Sequence, residues 1–157
     1  MMNRLRKSDE DMLLDFFVGE WQIKGRLLPD SASPGGPSDG SVTYRWDVGD
    51  KWLLYVSRQD FPGLGMYEVH GGVAFNVQNG KYDAYAVNSI GYLLVYEGEW
   101  SDEDTLVLDL VYPEAIGGAR IVYRKLADGS ISMSSENQTE EGGFRAYFEA
   151  VLTRATD

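Results

Sequence analysis

From Gly19 onward the sequence alternates, and that alternation constrains the fold more than any other feature. Trp21, Ile23, Gly25 and Leu27 interleave with Glu20, Gln22, Lys24 and Arg26, a period of two that places one set on each face of a strand. Similar runs recur to the C-terminus, rich in aromatic and β-branched residues and separated by turn signals. They predict strands at 18–28, 41–48, 51–60, 65–77, 81–88, 92–100, 104–112, 118–127, 130–138 and 143–154. No helical pattern interrupts them, which argues against parallel βαβ units and for an antiparallel meander. About ten strands in a meander leave two exposed edges unless the sheet closes on itself. The expected fold is therefore all-β: a closed antiparallel up-and-down barrel of about ten strands.

The connections agree with closure. One alternate set is short: Gly49-Asp50, Asn79-Gly80, Ser101-Asp102-Glu103 and Asp128-Gly129. Asn-Gly and Asp-Gly favour tight hairpins because both positions tolerate positive φ. The other set is mostly longer and richer in glycine and proline: 29–40, 61–64, 113–117 and 139–142, with only 89–91 short. Alternate turns of such a barrel lie at opposite ends, so one end is pinched shut and the other ringed by loops. Before the strands, residues 8–17 predict one short helix, capped by Ser8 and bearing Met12, Leu13, Phe16 and Phe17 on an apolar face. The whole chain, 1–157, reads as a single barrel domain (8–17 helix, 18–154 barrel).

Composition narrows the functions. With no cysteine and one histidine, thiolate chemistry, disulfides and multi-histidine metal centres are excluded. A net charge of −11 repels phosphate backbones and anionic lipid, so neither nucleic acid nor membrane is an expected partner. No apolar run suggests a signal peptide or span, and a cytoplasmic location is the expectation. The chain shows no Gly-x-Ser-x-Gly, P-loop or dinucleotide fingerprint, and its carboxylates fall in turns such as Asp102-Glu103-Asp104.

Two separated features carry a family resemblance: Gly19-Glu20-Trp21 at the start of the first strand and Arg154 near the end of the last. Together with the helix and strand count they resemble the calycin superfamily, the lipocalins and their relatives. The string 16–21 (Phe-Phe-Val-Gly-Glu-Trp), Tyr82-Asp83 and the closing Leu152-Thr153-Arg154 look like an uncharacterised bacterial domain-of-unknown-function family with this barrel. The resemblance implies that the Trp21 indole stacks under Arg154 as a structural floor. The haem-binding nitrobindin type has a similar opening, but it holds iron through a late-strand histidine, and this chain has none after His70. No cofactor is expected.

Anchoring parity on Trp21 inward gives an interior that is apolar toward the hairpin end (Trp21, Trp46, Phe75, Trp100, Leu106). Toward the open end it is tyrosine-rich: Tyr44, Tyr67, Tyr92, Tyr96 and Tyr112, with Tyr123 on a facing strand. Tyrosine joins a large apolar body to one hydroxyl that needs a partner. Such a lining suits a small hydrophobic or aromatic ligand with one or two polar atoms. Arg58, in phase with Trp52, Leu54 and Val56, either holds an anionic group at the rim or is a solvated charge; Asn88 lies at the same level. His70 falls on the outer face. Arg145-x-Tyr147 mimics a carboxylate clamp, yet parity turns both outward unless a bulge shifts the register. The expected function is small-molecule binding without chemistry. The alternatives are an enzyme acting on an apolar substrate in the same cavity, a haem carrier, and a protein that pairs through outward Tyr147, Val122 and Val151, for instance as a homodimer.

Overall fold

The computed structural model describes residues 9–114 and 118–155. After a single turn of helix α1 (Asp9–Met12) and a 3-10 helix (Leu13–Phe17), ten strands follow: β1 (Gly19–Leu27), β2 (Gly36–Asp47), β3 (Trp52–Phe61), β4 (Gly65–Asn76) and β5 (Lys81–Asn88), then β6 (Leu93–Trp100), β7 (Thr105–Tyr112), β8 (Ala119–Lys125), β9 (Ile131–Gln138) and β10 (Phe144–Arg154). Each strand pairs antiparallel with its neighbour in sequence, and β1 pairs with β10 to close the barrel. Closure satisfies every edge and leaves no strand free to pair with another chain.

The hairpin end is sealed by the segment that precedes β1. Asp11, Leu14 and Phe17 are buried at every third residue, the repeat of a 3-10 helix. Met12 and Leu13, expected on the apolar face of a regular helix, are exposed instead, because a three-residue turn rotates them away from the barrel. Ser8, the expected cap, lies outside the described residues. Indole and phenol donors fasten the plug: Trp21 Nε1 to Phe17 O at 2.8 Å, Trp46 Nε1 to Asp15 Oδ1 at 2.6 Å and Tyr82 OH to Glu10 O at 2.6 Å. Arg154 pairs with Trp21 across β1 and β10, with its guanidinium 4.0 Å from the indole. It also donates to the carbonyls of Phe16 (2.8 Å) and Val18.

Strand β2 begins at Gly36, so the second half of the expected 29–40 loop is strand, with Gly25 opposite Ser38 and Leu27 opposite Gly36. Gly40 tolerates no side chain there, since a Cβ would sit 1.9 Å from the Arg58 carbonyl on β3. Gly98 on β6 is equally confined, 2.0 Å from the Val107 carbonyl on β7.

Candidate ligand-binding cavity

Above the plug, the barrel holds a cavity of about 290 Å³ open toward the loop end, and below it a void of about 20 Å³. Tyr44, Tyr55, Tyr96 and Tyr123 line both spaces and so form the layer between them. Their rings interlock with the plug: Phe17 lies 5.6 Å from both Tyr44 and Tyr123, and Tyr44 lies 5.3 Å from Tyr55. Tyr67 and Tyr147 stand higher, near the mouth, with Phe61, Leu64 and Ile90. Phe61 packs edge-on against Tyr67 at 5.3 Å and beside Phe148 at 5.5 Å, which narrows the opening on that side.

Register explains which side chains face in. Tyr44 lies opposite Tyr55, and Trp46 opposite Leu53, so the inward set of β3 is Leu53, Tyr55, Ser57, Gln59 and Phe61. Arg58, read as either an anion-holding group at the rim or a solvated charge, is on the outer wall, where it binds Glu68 at 3.0 Å. The hairpin carries the parity of Tyr44 and Trp46 across to odd-numbered β3 residues, and this decides the matter. His70 is also outside and meets the same Glu68 at 3.2 Å. Hydrogen bonds from His70 and Arg58, with the Arg58 charge, hold that carboxyl below its ordinary range, the histidine contact being the larger influence.

Two bulges alter the other expectations. Val95 pairs with Tyr112 but Tyr96 pairs with Leu110, so Val111 is the extra residue and Tyr112 turns to the outer face, 54% exposed. Tyr92 is also outside the cavity, at 57% exposure in the turn before β6. On β10 the register slips between Ala146 and Phe148, leaving Tyr147 unpaired. Freed in this way, Tyr147 leans over the mouth and lines the cavity, where its hydroxyl meets that of Ser135. Arg145 stays outside, so the two residues do not form a clamp. Of the residues expected at the site, Tyr44, Tyr67, Tyr96 and Tyr123 come together in the wall. Asn88 stands behind the wall and donates to the Tyr67 hydroxyl at 2.9 Å. Tyr55, Ser57, Gln59 and Ser135 were not anticipated, although the turn at 48–51 fixed the register that would have revealed the first three.

Among the described residues, the lining holds no ionisable acid or base besides tyrosine. Burial pushes the Tyr44, Tyr55, Tyr96 and Tyr123 hydroxyls well above the ordinary phenol range, and those of Tyr67 and Tyr147 also upward. All six stay protonated at neutral pH and act as hydrogen-bonding groups rather than bases. No group of three or more potential metal ligands occurs among the described residues. Histidine is absent from the wall, so the residues present do not fit a histidine-held haem.

A search of curated proteins finds no match. The sequence does match, over residues 7–154, the family described as proteins of unknown function, DUF1579. The chain belongs to the DUF1579 family. Among solved structures, this DUF1579 barrel is similar to Rv2717c from M. tuberculosis, at 17% identity and a TM-score of 0.69, covering 95% of this chain and 99% of that one. That likeness shows the fold. A de novo designed fluorescence-activating β-barrel is more distant, at 11% identity and a TM-score of 0.44, with 90% of this chain and 95% of that one covered. No helix among the described residues of the DUF1579 chain is long and apolar enough to cross a membrane.

Proposed function

We propose that the barrel binds a small, mostly apolar molecule in the upper cavity and performs no chemistry on it. The observation that carries this reading is an uncharged, tyrosine-edged space of about 290 Å³ that opens at one end and is closed below by packed rings. That volume lies near the lower bound of small-molecule pockets, about 300–1,000 Å³. An apolar void of about 150 Å³ takes one benzene, so the ligand size is one to two fused rings.

The enzyme alternative requires a poised acid or base beside a charged partner, and the wall offers only protonated phenols. The pairing alternative loses its largest expected contact, since Tyr147 lines the cavity rather than the outer wall. The test is a thermal-shift series with monocyclic and bicyclic aromatics. Saturation at about one hundred times Kd stabilises by about 2.7 kcal/mol, which raises Tm by roughly 5–10 °C for a chain of this size. Ala86→Leu places extra atoms into the cavity wall and is expected to abolish the shift. A panel without any shift, or a shift unchanged by Ala86→Leu, overturns the reading.

A further inference from the structure

The cavity's hydrogen-bond polarity specifies the ligand further, and Asn88 sets part of it. The Asn88 side chain has one orientation: its Oδ1 accepts the backbone N–H groups of Ile90 (3.1 Å) and Tyr92 (3.0 Å), which only an oxygen can do. Its Nδ2 therefore faces Tyr67 and donates to the phenol oxygen at 2.9 Å. With that oxygen already accepting, the Tyr67 hydroxyl hydrogen has to find its acceptor elsewhere, and Tyr67 borders the cavity. Gln59 on the wall donates to Ser38 through its Nε2 at 3.4 Å, and among the described residues the side-chain hydrogen bond of the Tyr67 hydroxyl is the one it accepts from Asn88. The Tyr67 hydroxyl is thus placed to offer its hydrogen to a molecule in the cavity. Among the described residues the wall presents no cation, so a buried carboxylate there would lose its hydration without a counter-charge.

We propose that the cavity selects an uncharged, compact ring compound bearing a hydrogen-bond acceptor, such as a ketone, ester or amide carbonyl, and that Asn88 is a positioning residue that directs the Tyr67 hydroxyl hydrogen toward it. The proposal rests on the binding role inferred above. It places the specificity in a side chain behind the wall that also ties down the 89–92 turn at the mouth.

The experiment compares three probes by calorimetry on the full chain: 2-acetylnaphthalene, its hydrocarbon counterpart 2-ethylnaphthalene, and 2-naphthoate. The ketone is expected to bind at least about tenfold more tightly than the carboxylate. Asn88→Asp keeps an oxygen for the Ile90 and Tyr92 N–H groups but replaces the donor to Tyr67 by an acceptor, which reverses that hydrogen bond. It is expected to weaken the ketone by about three- to tenfold, the worth of one net hydrogen bond, and to leave the hydrocarbon unchanged. Tyr67→Phe, which adds no charge, is expected to show the same pattern. The infrared stretch of an isotope-labelled ketone carbonyl is expected at lower frequency in the parent protein than in either variant. Carboxylate binding as tight as the ketone's, or variants that weaken ketone and hydrocarbon alike, overturns this inference while the binding role stands. Failure of all three probes to bind the parent protein overturns the binding role and this inference with it.

Discussion

Replacing Arg154 with methionine tests the floor, because it removes the guanidinium while keeping an unbranched side chain. The loss can be assembled from the geometry. The stack over the Trp21 indole at 4.0 Å lies at an exposed position, where such a contact contributes about 0.5–1 kcal/mol. The donations to the Phe16 and Val18 carbonyls contribute about 1 kcal/mol each, since water can replace them when they go. Together the expected destabilisation is about 2–3 kcal/mol, or a fall in Tm of roughly 5–10 °C. Trp21 keeps its own bond to Phe17 O, so the barrel still forms. Thermal and urea unfolding followed by near-UV circular dichroism of the tryptophans reads both quantities. Arg154→Lys is expected to recover less than half of the loss, because one ammonium cannot stack flat and reach two carbonyls at once. A loss below about 0.5 kcal/mol, or full recovery by lysine, would refute the reasoning and leave the floor to the N-terminal plug alone.

Further outcomes follow from the packing. Gly98→Ala is expected to destabilise by about 2–3 kcal/mol in urea denaturation, since its Cβ meets the Val107 carbonyl at 2.0 Å and backbone cannot step aside as a side chain can. Alkaline pH should unfold the protein sharply. The interior phenols have pKa values raised above the unfolded value, Tyr82 to about 12, so their stabilisation is complete below about pH 10 and is lost as pH rises through the folded-state values. Tyrosinate absorbance should then appear together with loss of circular dichroism; gradual ionisation of all phenols before unfolding would contradict this. Arg145→Ala is expected to leave the affinity for a bound ketone probe within about twofold, as the guanidinium is outside the wall. A tenfold loss by calorimetry would restore the clamp.

The strand count and the closure were legible because each follows from a pattern many residues long, while the Trp21–Arg154 pair came from the family resemblance. The parity of β3 was misread for a specific reason: its outer face is also apolar. Trp52 packs on Tyr85 at 5.7 Å, and Leu54, Tyr85 and Trp52 crowd over Gly72 on the outer wall. Hydropathy therefore favoured the even residues, and only the hairpin register could have corrected it. The bulges at Val111 and Tyr147 leave no mark in composition, since one extra residue changes neither period nor turn signals until pairing is known. The preceding helix was found but misassigned in pitch, because local spacing cannot tell which of its apolar residues the closed end of the barrel will accept.

The tyrosine tier across the middle of the barrel has a further consequence. Beneath it, from Leu14 to Leu106, the buried side chains leave a void of only about 20 Å³, whereas above it the wall surrounds a space of about 290 Å³. On the proposed binding role, substitutions around the larger space retune what the vessel accepts at less risk to its foundation than substitutions below the tier.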